Sequence, residues 1–225
     1  MISKAMNRHI LAICAFLFAG LGISKAQRAD LYTLESPYQR YTHNLATLRW
    51  LGAVPLGSIT DGYVDKPSFA NYSLSVEWVF RNMPLSAGLE AGKYYFEQRY
   101  PRAIYTVGQN EVSAVKTSTY TAVPLTGLIK YHFLGTNARL SPYVQVNIGA
   151  HINTYTDYFG ILADQKKQTT LGFGGGAGLK YFFKNDGPVG LDVAVRYDQN
   201  TFKYGYITNG VGTLAGSVGL FYRWW

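Results

Sequence analysis

The chain has 225 residues, 48% hydrophobic, 16% aromatic and only 15% charged, with a formal net charge of +8. Its basic excess is mild and scattered: the densest run is Lys166-Lys167, with no recognition helix beside it, which excludes nucleic acid as a partner. The single cysteine, Cys14, leaves no disulfide available and no thiolate metal site.

The first segment is a targeting sequence by pattern. Lys4 and Arg8 precede an almost wholly apolar run from Leu11 to Ile23, and Ser24-Lys25-Ala26 offers small residues at the two positions a signal peptidase reads. The run is too short to cross a bilayer as a helix, which needs about 20 residues. Residues 1–26 are therefore expected to be a cleaved signal peptide. Setting aside Lys4, Arg8 and Lys25 from the 21 basic residues lowers the net charge from +8 to +5. Cys14 follows Leu11-Ala12-Ile13, but Ile13 is too bulky for a lipoprotein box, so lipidation is not expected. Residues 27–43 show no strand period and are expected to be a periplasmic tail or a plug for a lumen.

From Asn44 the chain alternates. The first strand, Asn44 to Val54, sets Ala46, Leu48 and Trp50 on one face and Leu45, Thr47 and Arg49 on the other. A longer connection spans 55–68. The second strand, Asn71 to Arg81, is the clearest: Tyr72, Leu74, Val76, Trp78 and Phe80 oppose Asn71, Ser73, Ser75, Glu77 and Arg81. A tight turn through Pro84 leads to the third, Leu85 to Glu97, with Leu85, Ala87, Leu89, Ala91 and Tyr95 outward and Ser86, Gly88, Glu90, Gly92 and Tyr94 inward. The polar stretch Gln98 to Ser118 reads as the longest loop. The fourth strand, Thr119 to Phe133, contains Pro124, which removes a ladder donor and predicts a bulge or local gap. After the turn 134–141, the fifth alternates Val144, Val146, Ile148, Ala150 and Ile152 with Gln145, Asn147, His151 and Asn153. A loop is expected over 155–168. The sixth strand sets Leu171, Phe173, Ala177, Leu179, Tyr181 and Phe183 against Gly172, Gly174, Gly176, Gly178 and Lys180; the inward glycines are expected to let bulky neighbours such as Tyr94, Tyr143 and Phe182 pack across. The turn 184–188 precedes the seventh, Val189 to Asp198. A loop over 199–209 leads to the eighth, Gly210 to Trp225.

Four strand ends share one device. Trp78/Phe80, Tyr131/Phe133, Tyr181/Phe183 and Tyr222/Trp224 are outward aromatic pairs, and Arg81, Lys130, Lys180 and Arg223 are offset by one, hence on the opposite face. All four pairs lie beside the short connections. One face of the sheet is apolar and ends in an aromatic girdle, while the other carries charge. That is the inverse of a soluble sheet and predicts an all-β fold: a transmembrane, antiparallel, up-and-down β-barrel of eight strands over 44–225. Short turns on one side and longer connections on the other place the girdle at the periplasmic boundary. Tyr72, Tyr95, Tyr155, Tyr158 and Tyr197 would supply an outer girdle. A lipocalin-like soluble barrel would instead point its apolar residues inward.

Closing such a barrel brings Arg49, Glu77, Arg81, Glu90, Lys130, Asp192, Arg196, Asp198 and Arg223 into a narrow lumen, where buried charges are costly unless paired. The expectation is a mutually neutralising network that fills the lumen. His132 and His151 fall on the same inward face, but no Ser-His-carboxylate pattern or metal-ligand spacing accompanies them. No catalytic residue, metal or cofactor is expected. In the longest loop, Arg99, Tyr100, Arg102 and Tyr105 are candidate contacts to lipopolysaccharide phosphates, a surface ligand or a partner protein.

The terminal Val218-Gly219-Leu220-Phe221-Tyr222-Arg223-Trp224-Trp225 resembles the β-signal by which outer-membrane proteins are recognised by the barrel assembly machinery, with Trp225 one residue beyond the usual aromatic end. With the leader and eight strands, the chain resembles the small OmpA/OmpX/OmpW-type outer-membrane barrels of Gram-negative bacteria. The resemblance implies outer-membrane location after signal-peptide cleavage. It also implies contact with outer-membrane lipids and lipopolysaccharide, and the assembly machinery as a partner during biogenesis. The leading expectation is a non-enzymatic barrel serving envelope structure, adhesion or as accessory subunit to an outer-membrane protein partner. The alternative is OmpW-like passage of small apolar solutes; a lipid-modifying enzyme using His132 or His151 is the third reading.

Overall fold

A computed structural model describes residues 42–60, 63–80, 83–107, 110–160, 162–205, 207 and 210–225. The expected signal peptide, most of the segment 27–43 and Arg81 lie outside the described residues. Eight strands follow in order: β1 (His43–Leu56), β2 (Ser68–Val79), β3 (Leu85–Val107), β4 (Asn110–His132), β5 (Leu140–Phe159), β6 (Leu162–Phe182), β7 (Val189–Asn200) and β8 (Val211–Trp224). Each pairs antiparallel with the next, and β8 returns to β1 through a ladder from Asn44↔Trp224 to Leu56↔Gly212, closing the barrel.

The alternation is inverted as the sequence predicts. Along β1, Leu45, Thr47, Arg49 and Leu51 are buried in the lumen, while Leu48 and Trp50 are 61% and 60% exposed on the outer wall. Exposed apolar side chains continue around the ring through Leu74, Leu89, Ile129, Val146, Ile148, Phe173, Val195 and Leu220. In water this band would be a large unfavourable surface; in hydrocarbon it is the stable one, and closure leaves no unpaired backbone edge there. The chain folds as a transmembrane β-barrel.

The wall is uneven in height. β3 and β4 run 23 residues each, and β5 and β6 run 20 and 21, against 12 to 14 for the other four strands. A tilted strand crosses a membrane in about 9–11 residues, so β3–β6 rise well beyond the barrel rim. The described residues of 98–118 and 155–168, expected as loops, instead form the upper arms of two hairpins whose ladders reach Val107↔Asn110 and Phe159↔Leu162. Beyond the membrane an outward position no longer needs an apolar side chain, so the strands persist while the alternation that reveals them fades.

Two smaller expectations resolve locally. At Pro124 the β3–β4 ladder skips from Ala91↔Leu125 to Tyr94↔Ala122 without changing register; the register shift comes instead between Arg99 and Arg102. Tyr155, expected on the outer girdle, is fully buried in the lumen. Its parity is that of Tyr143 and His151, which the alternation of β5 sets inward.

Candidate functional site: the filled lumen and the raised wall

Just inside the short-turn end, the lumen holds a neutral charge cluster. Glu77 on β2 accepts from Lys130 (Nζ–Oε1 2.8 Å) and from Lys180 (Nζ–Oε2 2.8 Å). Arg49 on β1 reaches Asp192 through Nε (3.2 Å) and Nη2 (3.3 Å) and donates to Ser75 Oγ at 3.0 Å. Its guanidinium also lies 3.6 Å from both Glu77 and Glu90. Tyr143 donates to Asp192 Oδ1 at 2.9 Å, and its ring lies 4.5 Å from the Lys130 ammonium. One step further up, Arg196 pairs with Glu90 and, at 3.0 Å, with Asp198. The Tyr94 hydroxyl accepts from Arg196 Nε at 2.8 Å and donates to Asp198 Oδ2 at 2.8 Å.

Four carboxylates, Glu77, Glu90, Asp192 and Asp198, thus face four cations, Arg49, Lys130, Lys180 and Arg196, all buried. The cluster is neutral as a whole, and its strength lies in shared partners: each carboxylate removed from water finds charged or phenolic donors. Lys180 belongs to it although only its inward parity marked it in the sequence. Arg223, expected in the same network, sits apart at the short-turn end. There it donates to Asn137 Oδ1 (3.1 Å) and to the Gly187 carbonyl (2.9 Å), and stacks over Phe182 at 4.5 Å. The strand ladder explains the separation: Arg223 pairs with Leu45, one end away from the Arg49 level.

The inward glycines of β6 admit these side chains. A Cβ at Gly172 would lie 2.2 Å from the His151 ring, at Gly174 2.3 Å from Asp198 Oδ1, at Gly176 2.7 Å from Arg196 Cβ and at Gly178 2.5 Å from the Tyr143 ring. The glycines make packing room rather than a channel. His132 is equally enclosed: its Nδ1 lies 3.0 Å from Ser141 Oγ and its Nε2 3.1 Å from Ser86 Oγ. Ser141 donates to the Gly135 carbonyl at 2.9 Å. Ser86 also lies 3.3 Å from Glu77 Oε2. The contact has the elements of a serine–histidine pair, and Ser86, His132 and Ser141 are all buried.

Both ends of the charged section are capped by apolar layers. At the short-turn end Leu45, Val79, Phe182 and Phe221 pack together, the two rings edge-on at 4.8 Å. Toward the raised end a larger cluster joins Leu51, Ala53, Tyr94, Phe96, Tyr120, Ala122, Tyr155, Val211 and Ala215 from the strands with Ile59, Tyr63, Val64, Phe202 and Ile207 from the β1–β2 and β7–β8 connections. Sequence periodicity does not reveal this second core, because its closing members come from connections with no period.

On the outer wall the aromatic pairs stand where the alternation sets them. Trp78, Phe80, Tyr131, Phe133, Phe183 and Tyr222 are exposed, and Tyr181 and Trp224 are half-buried; Tyr131 and Phe133 meet edge-on at 5.3 Å. Of the candidates in the expected loop, Arg99, Tyr100 and Arg102 do not converge. Arg99 and Arg102 are exposed on β3, opposite Thr117 and Val115. Tyr100 turns to the mouth, where it donates to the Tyr63 carbonyl at 2.7 Å. Tyr105 pairs through its backbone with Val112. Beside Tyr100, the Lys116 ammonium lies 5.6 to 5.8 Å from the rings of Tyr63, Phe159 and Tyr100 and 3.1 Å from Asp157, clasping the β1–β2 connection to the raised wall.

No family model and no curated protein matches this chain. Solved structures of similar fold do. A major outer membrane protein from Thermus thermophilus aligns over 82% of this chain and 100% of its own, with 16% identity and a TM-score of 0.50. Ail, the attachment invasion locus protein of Yersinia pestis, aligns over 81% and 99% at 16% identity and 0.48. The outer membrane protease OmpT from Escherichia coli aligns over 85% and 99% at 11% identity and 0.46. At such identities the likeness concerns the fold, and no residue role crosses with it.

Proposed function

We propose that this protein is a non-enzymatic outer-membrane scaffold with a closed lumen, which holds the β3–β6 wall outside the cell for binding at the surface. The observation that carries this reading is the filling of the lumen along its length: an apolar layer, a neutral charge cluster and a second apolar layer, with glycine positions already occupied by neighbouring side chains. An eight-stranded barrel is about the size its own side chains fill. The burial of Ser86 and His132 supports the non-enzymatic part.

In this reading the short turns face the periplasm after cleavage of residues 1–26, and the terminal strand β8 presents its aromatic end to the assembly machinery. The Trp78/Phe80, Tyr131/Phe133, Tyr181/Phe183 and Tyr222/Trp224 pairs sit at the periplasmic interface, where amphipathic rings are favoured. On the other side Lys93 and Lys167 stand just beyond the apolar band, at the height of lipid and lipopolysaccharide phosphates, with Arg99 and Arg102 above them. The test is conductance of the purified protein in planar bilayers: the expected trace is silent, and a sustained open level, or uptake of apolar solutes into liposomes, would replace the scaffold with a transporter.

A further inference from the structure

The raised wall is a four-stranded sheet with two lateral edges, and the protein treats them differently. On β3 the edge is guarded. The outward-bonding amide of Tyr95 donates to Asn71 Oδ1 at 2.7 Å, Gln98 Oε1 accepts from the Asp65 amide at 2.7 Å, and the strand then breaks register between Arg99 and Arg102, around Pro101. Side-chain caps, a bulge, a proline and charges are the devices by which sheet edges are withheld from pairing.

The β6 edge carries charge, in Asp164, Lys166 and Lys167, but no proline, no break in register and, among the described residues, no side-chain cap on its outward amides. Its ladder with β5 runs unbroken from Leu140↔Tyr181 to Phe159↔Leu162, whereas its ladder with β7 stops at Gly172↔Asn200. The Thr201 amide closes the Leu171 carbonyl at 3.1 Å, and the Phe182 amide on the opposite side bonds Arg139. Odd-numbered residues of β6 therefore bond toward β7 and even-numbered ones toward β5. Above Leu171, the amides and carbonyls of Ala163, Gln165, Lys167 and Thr169 point into the space that β7 vacates. The stretch 162–167 is exposed at every position, contains no proline or bulge, and lies beyond Leu171, the last large apolar side chain on the outward face of β6.

We infer that the β6 edge, residues 163–169, is a docking site for an extended acidic segment of another polypeptide, added to the sheet as a strand above β7. Strand addition draws affinity from the main chain and selectivity from side chains facing each other across the new ladder. On this edge Lys166 and Lys167, on opposite faces, outnumber the single carboxylate of Asp164, which keeps its charge while it accepts from Tyr204. Two neighbouring acidic residues on the incoming strand answer both lysines. A second copy of the chain is a poor occupant. Two copies in one membrane run β6 in the same direction and set the lysine pairs side by side, while β6 against β3 meets Pro101 and the register break. This deepens the surface-binding reading, and it fails separately from it, since conductance tests the closed lumen and edge pairing tests this site.

The probe is a short Val/Thr peptide with two adjacent Glu, added to the full-length protein in lipid nanodiscs. Hydrogen exchange at Gln165 and Lys167 should be fast without peptide and slow with it. Gln165→Pro deletes one edge amide while leaving every bond to β5, and should weaken binding about tenfold; the heat-sensitive gel mobility of a folded barrel verifies that it still folds. The Lys166→Glu/Lys167→Glu variant, and the same peptide with Lys in place of Glu, should each bind about tenfold more weakly. Equal binding by Gln165→Pro would mean simple charge attraction and would overturn the proposal, as would no binding by the unaltered protein. Protection of the edge without peptide that is lost on dilution would make a second copy the occupant and overturn it equally.

Discussion

Around Arg49 the lumen is crossed by charges that share counter-charges within hydrogen-bond reach, whereas two residues further along the same strand face Leu51 opens an apolar layer closed by Phe96, Tyr120, Tyr155 and Phe202. The charged half is built wholly from strands. Every member projects from a ladder position fixed on both sides, so its geometry is over-determined and it gains from low dielectric only while all partners remain. The apolar half borrows Ile59, Tyr63, Val64, Phe202 and Ile207 from two connections. It is held by area rather than by direction, and it can yield locally.

The sharpest way to break that contrast is Glu77→Ala. It strands Lys130 and Lys180 and weakens the hold on Arg49, so unfolding in urea should shift by about 3–5 kcal/mol. Adding Lys130→Met should recover part of that loss, because the uncompensated charge is the larger cost. If both variants match the unaltered protein, the cluster is not what stabilises this half. Gly178→Val is next, at about 1–3 kcal/mol, since its Cβ alone would sit 2.5 Å from the Tyr143 ring. In the apolar half, Phe202→Ala removes a fully buried ring, yet the expected global change is only about 1–2 kcal/mol, below the usual range for such a truncation. The β7–β8 connection lifts instead of the barrel opening. A cysteine replacing Tyr120 should then react with a water-soluble maleimide in the Phe202→Ala background and stay protected otherwise.

The same contrast governs what the sequence disclosed. Within the membrane each outward position must be apolar, so strands such as Tyr72 to Phe80 announce their parity and, through it, the inward Glu77, Glu90, Lys130, Asp192, Arg196 and Asp198. Lys180 carried the same signal and differed only in lying among glycines. Pairing partners were not legible, because register between neighbouring strands is fixed by the closed ladder and not by any one strand. Arg223 shows this: correct in parity, it lies a level too far toward the turns. Past the membrane the rule lapses. The hairpin arms around Val107↔Asn110 kept only their β-branched and aromatic content, Ile104-Tyr105-Thr106-Val107 and Thr117 to Thr121, as a sign of strand. The β1–β2 and β7–β8 connections gave no periodic sign at all.

The smallest effect expected lies where the yielding half meets the raised wall. Tyr204 stacks on Tyr155 at 5.4 Å and donates its hydroxyl to Asp164. That bond, followed by partial burial, pushes the phenol up to about 12 from its ordinary 10.0. A phenol raised in the folded state contributes its stabilisation in full below the ordinary value and loses it as pH climbs through the folded one. The clasp should therefore weaken between pH 10 and about 12, seen as faster hydrogen exchange in the β7–β8 connection while the charged half stays protected. Tyr204→Phe should show the faster exchange already at neutral pH and no further change over that window that depends on residue 204. A window equally steep in Tyr204→Phe would assign the loosening to another group and detach Asp164 from the closure of the mouth.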